Sequence, residues 1–143
     1  MTPVLGLLPL VARKASVADV EAIAALVNGF AAEDIMLPRT PGQVLACLDS
    51  YVVVRDARGQ VVACGALREY SPSLAELVSL AVAREAHGCG LGTTVVAAVE
   101  QLARKRGFAS VFAHTLSPRF FEACGYVVVD RALFPEKVAR ATT

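Results

Sequence analysis

A mixed β-sheet with helices packed on its faces, α+β in class with α/β character, is the fold this sequence predicts. Three observations carry it. Two segments, after Ser16 and from Leu91, repeat apolar residues at helical spacing. Between them, β-rich runs flank DARG in YVVVRDARGQVVACGAL, the signature of an antiparallel hairpin. Capping residues, prolines and glycines cut the remainder into short alternating units. The resulting order is β-α-α-β-β-β-α-β-α-β.

Each element has its own signal. Pro9 to Lys14 reads as a first strand, behind a loose arm from Met1 to Leu8. SVAD, from Ser16, has the shape of a capping box with Asp19 at the position usual for Glu or Gln. Val20, Ile23, Ala24, Val27 and Phe30 then recur on one helical face. DIMLPR breaks the helix at Pro38. A second short helix starts at TPGQV, where Thr40 caps, Pro41 fits the first turn and Gln43 completes the box. After the hairpin, Leu74 to Ala83 reads as a central strand. Val95, Val96, Val99, Leu102 and Ala103 form the apolar face of the next helix. It ends at Gly107, with Arg104, Lys105 and Arg106 where cations suit the helix dipole. SVFAHT is a further strand. SPRFFEACGY is a short helix capped by Ser117, with Pro118 at its first position and Gly125 at its end, and YVVV is the last strand.

The bulk composition excludes several classes. The chain has 143 residues, the size of one domain, so residues 9–143 are taken as a single unit. It is 55% hydrophobic and 19% charged, which argues for a packed core. A formal net charge of +1 offers no broad basic surface to nucleic acid. Cys47, Cys64, Cys89 and Cys124 form no CxxC pair and only two histidines are present, so no metal site is expected. The thiols read as reduced, in a cytoplasmic protein. The apolar opening MTPVLGLLPLVA lacks a basic leader and is broken by Pro3 and Pro9, which argues against an export signal. No stretch has the length of a membrane span.

The most informative segment is REAHGCGLGTT, Arg84 to Thr94. A strand, a glycine-rich turn and a helix start make an anion site. The first N–H groups of a helix lack internal partners, and glycines let a phosphate approach the backbone. The P-loop pattern fails, because Gly92 is followed by Thr93 and Thr94 with no lysine. The dinucleotide fingerprint fails too: Gly88, Gly90 and Gly92 are spaced G-x-G-x-G, with no acidic residue about 20 positions on. Glycines at such turns also serve tight packing alone.

LAVAREAHGCGLGTTVV resembles the acyl-CoA-binding segment of the GNAT acetyltransferase superfamily. That pattern, Q/R-x-x-G-x-G/A, falls on His87, Gly88, Cys89, Gly90, Leu91 and Gly92, with His87 departing from the expected Gln or Arg. The order of elements matches the same fold. MLPRT, VVACGALREY, LAELVSLAV, FAHTLSPRFFEACGY and LFPEKV, in that order, resemble the acetyltransferase domain of N-acetylglutamate synthases, in particular short single-domain members.

The resemblance implies acetyl transfer from acetyl-CoA to the α-amine of L-glutamate, the first step of arginine biosynthesis, by direct attack and without a metal. It places the CoA pyrophosphate on the backbone of Gly88 to Thr93, that is Gly88, Cys89, Gly90, Leu91, Gly92 and Thr93. The pantetheine arm would pair with backbone groups of Leu80 and Val82, where an N–H could also polarise the thioester carbonyl. Glu76, flanked by Leu74, Leu77 and Val78, is the candidate base; the competing reading is a carboxylate paired with an arginine. Many GNAT members use a tyrosine acid in the helix after the fifth strand, but here Phe120 and Phe121 stand there. Ser117 and Tyr126 are the nearest polar alternatives, with capping and core packing as their competing roles. Cys89 sits in the loop as a small filler rather than a nucleophile. Arg39 and Arg68 are the candidate partners of the acceptor's carboxylates, since arginine binds carboxylate in bidentate fashion; Arg119 and Lys137 are weaker. Two other readings stand: a GNAT enzyme for another amine, and a non-catalytic acetyl-CoA-binding module. The family allows a homodimer.

Overall fold

Strands β1 (Ala12–Lys14), β2 (Tyr51–Arg55), β3 (Val61–Ser71), β4 (Leu74–Val82) and β5 (Ser110–Phe112) pair in chain order in the computed structural model. The structure describes residues 2–3, 10–33 and 36–129. The first four strands are antiparallel, and β5 joins β4 in parallel. Helices α1 (Val20–Ala31) and α2 (Pro41–Ala46) follow β1, α3 (Leu91–Lys105) connects β4 to β5, and α4 (Pro118–Ala123) follows β5.

The sheet is buried on both faces, which explains the unbroken apolar run of β2. Tyr51 and Val53 face a cluster built with Val20, Ile23, Val27 and Val44 of α1 and α2. Val52 and Val54 face the opposite cluster, with Val95, Val96 and Val99 of α3 and Phe121 of α4. Gly65 of β3 marks where α3 comes closest. A Cβ there would meet Val95 Cγ1 at 2.5 Å, so only glycine admits the helix at this depth.

The helix starts follow their signals. Thr40 Oγ1 accepts from Gln43 N–H at 3.1 Å, and Gln43 Oε1 accepts from Thr40 N–H at 2.9 Å, closing the box. Asp19 Oδ2 accepts from Ser16 N–H at 2.8 Å and from its hydroxyl at 3.1 Å. One tight turn, Val17–Asp19, precedes α1. Asp19 is buried and also pairs with Arg55 across the sheet end. Burial raises the proton affinity of its carboxyl, but the Ser16 N–H and the Arg55 guanidinium outweigh that, and its pKa falls below the ordinary 3.8.

Three expectations are corrected. The first strand is shorter than Pro9–Lys14: Leu10 and Val11 lie outside it, and Pro9 is outside the described residues. Tyr126–Val129 is not a strand. Strand propensity acts only where a partner ladder exists, and among the described residues β5 pairs with β4 alone. Instead Tyr126 N–H donates to Phe121 O at 2.9 Å and its ring packs edge-on against Phe121, while Val127 and Val128 stay exposed beside an open cleft of ≈ 700 Å³. Ser117 precedes α4 but its hydroxyl makes no capping bond; its own N–H donates to Thr115 Oγ1 at 2.8 Å. Of the arm Met1 to Leu8, only Thr2 and Pro3 are described, and LFPEKV with Lys137 lies outside the described residues. No helix among the described residues is long and apolar enough to cross a membrane.

Candidate active site

Pairing between β4 and β5 covers only Leu74–Glu76 against Ser110–Phe112. β4 runs on to Val82, so among the described residues no strand covers its β5-side edge beyond Glu76. The SVFAHT strand is correspondingly short, since Ala113 to Thr115 leave the ladder.

The glycine segment follows the far end of β4. After β4, one tight turn at Arg84–Ala86 leads to Gly90, which caps α3 at φ +75°. That left-handed conformation favours glycine. Thr94 N–H is the first to bond back, to Gly90 O at 3.1 Å, so the N–H groups of Leu91, Gly92 and Thr93 precede the intrahelical ladder. Gly92 has a further role that the spacing alone did not show. A Cβ there would touch the Phe120 ring at 3.0 Å, so Gly92 lets α4 pack against the start of α3. Cys89 is exposed on the loop.

His87, at the position where the family has Gln or Arg, folds back onto the strand. Its Nε2 lies 2.8 Å from Val82 O. The imidazole stacks over Phe30 of α1 at 6.5 Å, and the Arg84 guanidinium lies 5.2 Å from the same ring while pairing with Glu33. One of the backbone groups expected to meet a pantetheine arm is therefore bonded to His87. Leu80, the other, lies in a β-bulge: Ala66 pairs with Val78 and Cys64 with Ala81, so Ser79 and Leu80 together oppose Gly65.

Glu76 and Arg68 are cross-strand neighbours. Glu76 is 5% exposed, and its Oε1 accepts from Arg68 Nη2 at 2.6 Å. The candidate base and one candidate acceptor-binding residue are thus a single ion pair, combining both readings of Glu76. Arg68 keeps one donor in hand: its Nε is buried without a hydrogen-bond partner. Arg39 is not a member of this ion pair. Its backbone is clamped to α1 by Asn28, whose Nδ2 donates to Arg39 O at 2.7 Å and whose Oδ1 accepts from Arg39 N–H at 2.8 Å. Among the described residues its side chain donates to Pro38 O alone, at 3.0 Å.

Tyr126, the other candidate acid, is a core aromatic. Burial, reinforced by the Glu100 carboxylate, pushes its phenol pKa far up, and the ring packs on Phe121. Two residues of the site escaped the sequence reading. Tyr51 Oη and Ser79 Oγ are 3.0 Å apart across the sheet. A lone serine in VSLAV was the visible signal, and nothing local linked it to Tyr51.

A family model for the acetyltransferase (GNAT) family matches residues 27–126. The chain belongs to that family. It is 36% identical to an uncharacterised N-acetyltransferase of Chlorobaculum tepidum over 92% of this chain and 84% of that protein. It is 31% identical to an amino-acid acetyltransferase of Mycobacterium tuberculosis, over 84% of this chain and 70% of that one. A Mycobacterium tuberculosis protein solved with CoA and NLQ superposes with a TM-score of 0.80 at 31% identity, over 84% of this chain and 73% of the other. The N-acetylglutamate synthase of Neisseria gonorrhoeae, complexed with coenzyme A and N-acetyl-glutamate, gives a TM-score of 0.85 at 22% identity. The match spans 96% of this chain and 33% of that one, and at this identity shows the shared fold. The GNAT fold and the acetyltransferase family expected from the sequence are both confirmed.

Proposed function

We propose that this GNAT acetyltransferase transfers the acetyl group of acetyl-CoA to the α-amine of L-glutamate. The observation that carries the reading is the edge of β4 that, among the described residues, no strand covers beyond Glu76, bulged at Ser79–Leu80 and followed after one tight turn by the Gly90-capped start of α3. It offers backbone groups for an extended amide-bearing arm and, one strand-end away, unbonded helix N–H groups for a pyrophosphate. Binding of the arm at Val82 exchanges the His87 contact for one to the ligand. The 31% identity to an amino-acid acetyltransferase supports an amino-acid acceptor.

The chemistry then follows from the pair. The acceptor enters as an ammonium and must lose a proton before its nitrogen can attack. Glu76 takes that proton, directly or through water. The neutral amine forms the C–N bond, backbone donors at the bulge stabilise the tetrahedral oxyanion, and the C–S bond breaks. The CoA thiolate leaves with the electron pair, and the second proton of the attacking nitrogen passes to it through water, leaving the neutral amide and the free thiol. Arg68 Nε, buried and unpartnered, and the Arg39 guanidinium supply donors for a dicarboxylate. Because Arg68 is already paired with Glu76, a neutral amino acid bearing one carboxylate is the second reading.

Turnover with acetyl-CoA and a panel of amines tests both. A clear preference for glutamate over glutamine, neutral amino acids and polyamines supports the proposal. Equal use of glutamine and glutamate supports the second reading, and preference for a cationic amine refutes both.

A further inference from the structure

Among the described residues, Ser79 is the sole non-glycine with positive φ, at 56°. Serine does not favour this conformation, which in most chains falls to Gly, Asn or Asp. It sits where β4 carries one residue more than β3, so it makes the bulge rather than merely adjoining it. Such a backbone persists only where its surroundings impose it.

The surroundings do so from two sides. Tyr51 Oη lies 3.0 Å from Ser79 Oγ, and Cys64 Sγ donates to Ser79 O at 3.3 Å. Tyr51 is 3% exposed and Cys64 fully buried, so neither anchor moves readily. Burial also raises the Tyr51 phenol's pKa, keeping it the neutral partner of a hydroxyl pair. Both anchors belong to strands that precede β4 in the sheet, so the distortion of β4 is written into its neighbours.

We propose that Tyr51 and Ser79 form a positioning pair, whose hydroxyl contact holds the β4 bulge in the shape that presents its backbone donors to the thioester carbonyl. Neither side chain touches the reacting atoms; each acts through the backbone at Ser79–Leu80. The bulge takes these residues out of the β3 ladder, and among the described residues no strand covers the other edge of β4 beyond Glu76. The backbone there is free to meet a ligand only while the extra residue stays extruded. The inference rests on the acetyl-transfer reading for its catalytic consequence, but not for its structural one.

The test uses four variants of the full chain and two independent readouts. Tyr51→Phe and Ser79→Ala each remove the hydroxyl contact without enlarging a side chain. Each should lower kcat about tenfold, part of the ~100-fold that a 1 Å misplacement can cost, with KM for acetyl-CoA and acceptor nearly unchanged. The double variant should be no worse than either single one, because both delete the same contact. Glycine adopts positive φ without an anchor. Adding Ser79→Gly to Tyr51→Phe should therefore restore the lost rate. A purely structural role would lower Tm, leave kcat per folded molecule unchanged and show no rescue by glycine. Amide hydrogen exchange at Ser79 and Leu80, which needs no turnover, should change in Tyr51→Phe and Ser79→Ala and revert in Tyr51→Phe/Ser79→Gly. Unchanged exchange in both single variants overturns the positioning pair. Altered exchange with no acetyl transfer by the wild type to any amine would instead overturn the proposed function, leaving the pair as the determinant of the bulge.

Discussion

Replacing Gly65 by alanine tests how tightly α3, and with it the start of the glycine loop, is bound to the sheet. The new Cβ would lie 2.5 Å from Val95 Cγ1, against 3.4 Å for ordinary contact, a deficit of about 0.9 Å. Val99 Cγ2 and Leu80 Cδ1 stand at 3.6 and 3.8 Å, so the methyl has no empty side to occupy. Val95 is fully buried, and a β-branched side chain in a helix has one strongly preferred rotamer. The strain must be relieved by moving the helix. Overpacking of this kind costs about 1–3 kcal/mol, and the severity of the overlap puts Gly65→Ala at about 2–3 kcal/mol. At about 3 °C per kcal/mol for a domain of this size, Tm should fall by about 6–9 °C. Urea denaturation gives the free energy and thermal melting the shift. In a double-mutant cycle, Val95→Ala removes the atom that the methyl strikes, so Gly65→Ala should cost much less in that background. A Gly65→Ala protein within about 0.5 kcal/mol of wild type, or costs that simply add, would refute the close-approach argument.

Three further outcomes are expected. Glu76→Gln should lower kcat and abolish the acidic limb of the pH–rate profile; a normal limb would assign proton removal to water. Arg39→Ala should raise KM for the amino acid and leave that for acetyl-CoA unchanged, whereas Arg68→Ala should also depress kcat because it strips Glu76 of its partner; identical kinetic signatures would argue against separate roles. Asp19→Asn should cost about 1.5–3 kcal/mol at neutral pH, the value of hydrogen bonds to a charged group. Because the folded pKa of Asp19 lies below 3.8, its contribution is complete above that value and is lost as pH falls through the folded pKa. The wild type should therefore lose its advantage over Asp19→Asn in acid, and a constant difference down to about pH 2 would place the source elsewhere.

The sequence made visible whatever a few neighbouring residues decide. Thr40, Pro41 and Gln43 specify the start of α2 by themselves, and the periodicity of Val95, Val96 and Val99 specifies the buried face of α3. The glycine turn was legible for the same reason, since strand, left-handed turn and helix start are consecutive. What remained hidden depends on register between strands. Glu76 and Arg68 stand eight residues apart and meet because a hairpin pairs them, so neither residue's surroundings alone reveal the ion pair. Tyr51 and Ser79 stand 28 residues apart and meet across an intervening strand. YVVV misled in the opposite sense. Its β propensity is real, but propensity without a partner does not make a strand.

The ion pair also bears on how the site divides its labour. A buried carboxylate without a cation would hold its proton and could accept none from the substrate; a carboxylate fully satisfied by arginine would have little reason to take one. Glu76 is almost fully buried, and its arginine partner, nearly half exposed, reaches it through one Nη group. Solvent screening at the exposed end of Arg68 weakens the pair relative to a fully enclosed one. An acceptor carboxylate that engages the buried Nε would draw the guanidinium's charge toward itself, and the hold on Glu76 would loosen as the amine arrives. The basicity of Glu76 would then rise when a carboxylate-bearing acceptor is bound. The pH–rate profile can be read in both forms: the acidic limb of kcat, which reports the complex, should lie at higher pH than that of kcat/KM, which reports the free enzyme. Coincident limbs would show that the acceptor does not compete for Arg68, and would leave Arg39 as the cation that selects it.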